Sequence, residues 1–184
     1  IMRRRQRQMC IRDRYNVDVD KKMVVLDALH EIQAFQVPDL AVRWNCKAGK
    51  CGSCSAEVNG KPRLMCMSKL TDYDLSEPLV IKPMKSFPLI KDLVTDVKWN
   101  YEVNKKIKPY SHPNGEEYHT MFQEEVDRVQ EFRKCIECFL CQDVCHVLRS
   151  HNRRDAFSGP RFLLRLASLE MHPLDTLDLS LIHI

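Results

Sequence analysis

No apolar run of eighteen or more residues occurs anywhere in the 184-residue sequence, so nothing in it reads as a membrane-spanning helix. No apolar h-region follows the basic opening residues, so the sequence predicts no secretory leader. Any attachment to a membrane is expected to come through a partner. Internal repeats are absent too. The hydrophobic fraction of 44% suits a globular chain and excludes a disordered one.

Also missing is a real excess of positive charge. The whole chain carries a formal net charge of +4, but residues 1–14 hold six Arg and one Asp. Residues 179–184 hold no charged side chain, which leaves residues 15–178 at a net charge of −1. The basic balance therefore gives no reason to expect a nucleic-acid partner. The segment Arg4-Arg5-Gln6-Arg7-Gln8-Met9-Cys10-Ile11-Arg12-Asp13-Arg14 resembles a reading-frame translation of a transposase sequencing adaptor. Leu179-Ser180-Leu181-Ile182-His183-Ile184 resembles the opposite strand of the same adaptor core. Residues 1–14 and 179–184 are accordingly expected to be non-native, and Cys10 is set aside as a ligand.

What the sequence does have is cysteine. Eight of its nine cysteines fall in two tight groups, Cys46/Cys51/Cys54/Cys66 and Cys135/Cys138/Cys141/Cys145. Disulfide scaffolds are usually shorter and spread their cysteines along the chain, whereas cysteines two residues apart, repeated three times, share a metal. A reducing compartment follows from that reading.

Around these groups the pattern predicts an α+β chain. Tyr15 begins a stretch in which Val17 and Val19 alternate with Asn16, Asp18 and Asp20, the signature of a strand. Val25, Leu26, Leu29 and Ile32 recur at helical spacing, and Pro38 closes that region. Ala56-Glu57-Val58 followed by Asn59-Gly60 predicts a strand and a hairpin turn, with Leu64-Met65-Cys66-Met67 as the returning strand and Leu79-Val80-Ile81 as another. The Lys- and Pro-bearing stretch from about Asp96 to Gly115 reads as a linker. Beyond it, apolar Phe122, Val126, Val129 and Phe132 predict a helix leading into the second cysteine group. A last helix starts near Ser158-Gly159-Pro160, with Phe162, Leu163, Leu166 and Leu169 facing inward.

Cys46-x4-Cys51-x2-Cys54-x11-Cys66 has the plant-type spacing for a [2Fe–2S] cluster. Three thiolates on one short loop can wrap two irons only if the backbone turns tightly, which Gly49 and Gly52 permit. Lys47 and Lys50 flank an anionic centre and favour the deprotonated thiols that ligation needs. A structural zinc site would pair two ligand couples on separate hairpins, a poor match to this run. Cys135-x2-Cys138-x2-Cys141-x3-Cys145 has the bacterial-ferredoxin spacing for cubane-type clusters, whose fourth cysteine serves a second cluster. His146 stands where that pattern usually has Pro.

The runs Val42 to Ala56, Asn59 to Cys66 and Cys135 to His146, with Phe87-Pro88-Leu89-Ile90-Lys91-Asp92-Leu93, Gly159-Pro160-Arg161-Phe162 and Met171 to Thr176, carry a more specific likeness. Residues 15–178 resemble the iron–sulfur subunits of succinate dehydrogenases and fumarate reductases, in their actinobacterial form. That resemblance implies a β-grasp, plant-type ferredoxin-like domain over residues 15–98 and a helical, bacterial-ferredoxin-like domain over 99–178, truncated at its C-terminal end. It implies a [2Fe–2S] cluster on Cys46, Cys51, Cys54 and Cys66. It gives Cys135, Cys138 and Cys141 to a [4Fe–4S] cluster and Cys145 to a [3Fe–4S] cluster, the last two completed by three cysteines that this sequence does not contain.

The implied work is electron transfer within an oxidoreductase, with no substrate chemistry on this chain. Its implied partners are an FAD-containing flavoprotein subunit, membrane-anchor subunits and a quinone, on the cytoplasmic side of the bacterial membrane. A free-standing ferredoxin-like carrier is the second reading, and a zinc-stabilised interaction module the third. His30, His112, His119, His151 and His172 are read as surface or packing residues. His146, beside Cys145, is a candidate for tuning its neighbour's potential.

Overall fold

The structure is a computed structural model that describes residues 13–108, 120–173 and 175. The adaptor-like residues 1–12 and 179–184, Cys10, His112 and His119 lie outside the described residues.

Helix α1 (Val25–Phe35) buries the four residues its spacing singled out, Val25, Leu26, Leu29 and Ile32. Its first turn is closed by Asp27, whose carboxylate accepts the Val24 amide at 3.1 Å, and it ends one turn before Pro38. The helix packs on a three-stranded antiparallel sheet in the order β2-β1-β3, built from β1 (Ser55–Val58), β2 (Lys61–Leu64) and β3 (Ile81–Lys82). Asn59 and Gly60 turn the β1–β2 hairpin at φ 48° and 77°. The Asn59 side chain also accepts the Val80 amide at 2.9 Å, which ties the turn to the approach of β3. A second hairpin, β4 (Leu89–Lys91) with β5 (Val94–Thr95), stands apart from this sheet.

Five expectations are corrected. Residues 15–20 form no strand: Tyr15 and Val17 pack on the core, but the Asn16 carbonyl is taken by the Gln36 side chain at 2.7 Å in place of a neighbouring strand. The returning strand stops at Leu64, and Met65–Met67 is a 3₁₀ turn that buries Met65 and leaves Met67 60% exposed. Of Leu79-Val80-Ile81, only Ile81 joins the ladder. The supposed linker contains α2 (Lys98–Asn104), started by the Asp96 carboxylate accepting the Lys98 amide at 2.9 Å and held by buried Asn100 and Val103. On the last helix the inward residue beside Phe162 and Leu166 is Arg161, whereas Leu163 is exposed.

The remaining helices gather around the second cysteine group. They are α3 (Gln123–Arg133), α4 (Leu140–Val144), α5 (His146–Arg149) and α6 (Pro160–Glu170). On α3 only Val129 is buried, and Phe122, its N-cap, is exposed. Gly159 and Pro160 start α6 as their chemistry suggests.

Two devices join this helical part to the sheet. Met84, Phe87 and Phe139 form a small apolar cluster, with Val97 and Trp99 against it. Beside it runs a polar clasp. Glu57 on β1, 3% exposed, pairs with the Arg149 guanidinium, which also reaches the fully buried Asp143 carboxylate at 3.4 Å. Asp143 in turn accepts the Ser86 amide at 2.8 Å. Burial raises the Asp143 carboxyl above its ordinary value, while the Ser86 hydrogen bond opposes the shift. The bond to Glu57 is the main cause that raises Arg149.

Two stability outcomes follow. Leu26→Ala, at a site 1% exposed, should lower the unfolding free energy by about 2–5 kcal/mol in urea titrations. Glu57→Ala should cost about 3 kcal/mol, because it strips a partly buried guanidinium of its main partner. A double-mutant cycle with Arg149→Ala should show the two losses to be strongly non-additive.

Candidate iron–sulfur sites

The first cysteine loop is shaped by backbone that only a few residues tolerate. Lys47, Gly49 and Gly52 all sit at positive φ, 54°, 66° and 69°, so the chain between Cys46 and Cys54 curls tightly enough to aim amides inward. The amides of Ala48 and Lys50 donate to the Cys46 sulfur at 3.4 and 3.2 Å. Ser55, buried at the start of β1, donates its hydroxyl to the Gly52 carbonyl at 2.8 Å and fixes the end of the loop. The 3₁₀ turn after β2 returns Cys66 to this loop: its amide donates to the Cys54 sulfur at 3.5 Å, and the Met65 amide donates to the Cys54 carbonyl at 3.0 Å.

The four thiols thus arrive as two couples, Cys46 with Cys51 and Cys54 with Cys66, in unlike surroundings. Hydrogen bonding from the Ser53 side chain, then from the Cys46 and Ser53 backbone, lowers the Cys51 thiol to about 6. Burial pushes the Cys54 thiol up to about 11, and the neighbouring Cys66 adds to that rise. Among the described residues, no three His, Cys, Asp or Glu side chains converge as a site for a single metal ion. Two couples of thiols fit a dinuclear group, in which each iron needs two protein sulfurs. The amides already aimed at sulfur are those that stabilise thiolate charge.

Trp44, Lys47 and His30 flank the loop. The Lys47 ammonium stands 5.0 Å above the Trp44 ring, and the His30 imidazole meets that ring edge-on at 4.8 Å. Burial, then Lys47, lowers the His30 imidazole, and its Nε2 has no hydrogen-bond partner among the described residues.

The second cysteine loop is equally strained. Glu137 and Phe139 take positive φ, 56° and 59°, and the chain enters α4 directly behind them. Cys135, Cys138 and Cys141 come within electrostatic reach of one another. Burial first, then charge on Cys138 and Cys135, raises the Cys141 thiol, although the residue keeps some solvent-exposed surface. Cys145 sits apart at the junction of α4 and α5, where its amide donates to the Cys141 carbonyl at 3.2 Å. His146, the first residue of α5, has its ring 6.4 Å from that of His151.

Sequence spacing missed the supports of this loop. Gln142, fully buried beside Cys141, donates to the Asn100 side chain at 3.1 Å and to the Ser158 carbonyl at 3.0 Å, and accepts the Arg161 amide at 3.2 Å. Arg161 also pairs with Glu137 inside the loop. Nothing in the spacing marks Gln142 as a hub. The hint available was a polar residue locked between two cysteines on a short helix.

With this geometry in view, comparison with known proteins is informative. Residues 1–102 match the family described as "2Fe-2S iron-sulfur cluster binding domain". The chain belongs to that family. It is 34% identical to the fumarate reductase iron-sulfur subunit of Mycobacterium tuberculosis (strain CDC 1551 / Oshkosh) over 138 residues, 72% of this chain and 56% of the relative. To the fumarate reductase iron-sulfur subunit of Haemophilus influenzae it is 34% identical over 146 residues, 71% of this chain and 56% of that protein. Among solved structures it resembles a chain of the Mycobacterium smegmatis Sdh1 complex in the apo form. There the identity is 56% and the TM-score 0.87, with 89% of this chain and 70% of that chain covered. The chain thus spans about half the length of these two fumarate reductase relatives. The mixed helix and strand content agrees with these likenesses.

The split in thiol acidity predicts a labelling order. In metal-free protein at pH 7, iodoacetamide should modify Cys51 well before Cys54, and Cys51 labelling should fall as the pH is lowered through about 6. Peptide mass spectrometry reads both, and equal rates at the two cysteines would contradict the assignment.

Proposed function

We propose that the chain is the electron-transfer iron–sulfur subunit of a succinate dehydrogenase or fumarate reductase. The observation that carries this reading is the presence, in one chain, of a plant-type thiol loop and a bacterial-type thiol loop packed against each other. The 56% identity to a chain of the Sdh1 complex supports it.

Cys46, Cys51, Cys54 and Cys66 hold a [2Fe–2S] cluster, Cys135, Cys138 and Cys141 hold three corners of a [4Fe–4S] cluster, and Cys145 is a ligand to a [3Fe–4S] cluster. When bound, these groups supply one-electron couples. The chain's own residues do the rest. The Ala48 and Lys50 amides stabilise charge on the Cys46 sulfur, and Lys47 and Lys50 offset the negative charge of the loop. Burial of Cys54 and Cys66 keeps water from half of the dinuclear site. The β-grasp and helical ferredoxin-like regions supply the two scaffolds, meeting near residue 98.

The reading places a flavoprotein subunit with FAD at one end of the electron path and a quinone at the other. Membrane-anchor subunits hold the assembly at the cytoplasmic face of the membrane. Among the described residues no helix is long and apolar enough to cross a membrane, which fits attachment through partners.

Anaerobically purified full-length protein should contain iron and acid-labile sulfide, absorb in the visible, and give a paramagnetic signal on dithionite reduction. Cys66→Ser should abolish or strongly shift the [2Fe–2S] signal while the second group's signal persists. Protein that binds zinc in place of iron, with no labile sulfide, would refute the proposal.

A further inference from the structure

The two cysteine loops meet at one point, and the residue there is a glycine. A Cβ added at Gly52 would lie 2.6 Å from the Cys138 Cα, 2.8 Å from its nitrogen and 2.9 Å from its Cβ. Those are backbone and near-backbone atoms of a residue wedged between strained Glu137 and Phe139, so they have little freedom to withdraw. Gly49, three residues earlier in the same loop, differs. There an added Cβ would meet the Met67 side chain at 3.0 Å, and that flexible chain can swing aside. Both glycines have positive φ, so the shape of the first loop explains their backbone conformation. It does not explain why one of them is pressed against the backbone of the other cysteine loop.

That contact is reinforced in two ways. The Gly52 carbonyl is held by the buried Ser55 hydroxyl at 2.8 Å. In addition, Glu57, Arg149, Asp143 and Ser86 clasp the sheet to α4, which carries Cys141, and to α5 beyond it. An added side chain at Gly52 would therefore have to push the two loops apart or displace the Cys138 backbone.

We infer that Gly52 is a positioning residue that sets the distance between the two cluster sites, and so the rate at which an electron crosses between them. This rests on both loops carrying clusters, as proposed above. The step itself moves one electron: the donor site is oxidised by one, the acceptor reduced by one, and no bond forms or breaks. Because tunnelling falls off exponentially with separation, even a small displacement of the Cys138 backbone slows it.

The test compares Gly52→Ala and Gly52→Asn with Gly60→Ala in the anaerobically purified full-length holo-protein. Asn tolerates positive φ, so the Asn variant isolates the effect of bulk from that of backbone strain. Gly60, at φ 77° with nothing within 4 Å of an added Cβ, supplies strain without a clash. Electron paramagnetic resonance reads each reduced centre and the relaxation enhancement between them, and rapid-freeze reduction reads the transfer rate.

Both Gly52 variants should keep the two signals with a several-fold weaker interaction and slower transfer, while Gly60→Ala matches the unsubstituted protein. Loss of the second centre alone in the Gly52 variants would overturn the inference, since Gly52 would then be needed to assemble that site and not to set its distance from the first. Unchanged coupling, loss of the first centre alone or of both, or an equal effect in Gly60→Ala would overturn it. An unsubstituted protein without two interacting paramagnetic centres would instead refute the functional reading beneath it, a distinguishable failure.

Discussion

A carboxylate taken out of water on a strand must find a cation, and the structure is organised around how Glu57 does so. Its partner, Arg149, belongs to the short helix after Cys145, and the same guanidinium satisfies the buried Asp143. Breaking one member leaves another charged and buried, so the three residues hold or fail together. An apolar interface alone would tolerate sliding, because burial is nearly indifferent to small shifts in register. Directed bonds among Glu57, Arg149, Asp143 and Ser86 are not indifferent, and they register the helical part against the sheet. With that register set, Gly52 can abut Cys138.

Local chemistry was legible in the sequence and contact between distant segments was not. The two thiol groups were readable because ligands carried on one turn must obey fixed spacings. The Asn59-Gly60 hairpin and the α1 face were readable because turn chemistry and helical period act over a few residues. The 3₁₀ turn at Met65–Met67 was misread as strand because its cause is Cys54, which draws the Met65 and Cys66 amides back toward the loop. Helix α2 was hidden in a Lys- and Pro-bearing stretch, since part of its support is Asn100 accepting a hydrogen bond from Gln142, inside the distant second cysteine group. Alternation along β1 would have placed Glu57 outward, and its burial is made tolerable by Arg149, with the Lys85 amide donating to the same carboxylate at 3.4 Å.

The acidities of the free thiols show what the protein itself stabilises and what it leaves to the metal. At Cys51 hydrogen bonding from Ser53 and from the Cys46 backbone lowers the thiol to about 6, so negative charge there is welcome near neutral pH. At Cys54 burial dominates and opposes charge, so that thiol gives up its proton less readily than Cys51 does.

The Cys141 thiol is raised by desolvation first and then by the nearness of Cys138 and Cys135. Glu137 adds a negative group to the second cysteine loop and is answered by Arg161, itself buried, with two N–H groups lacking partners among the described residues. The left-handed backbone at Glu137 and Phe139 brackets Cys138, the residue that Gly52 abuts.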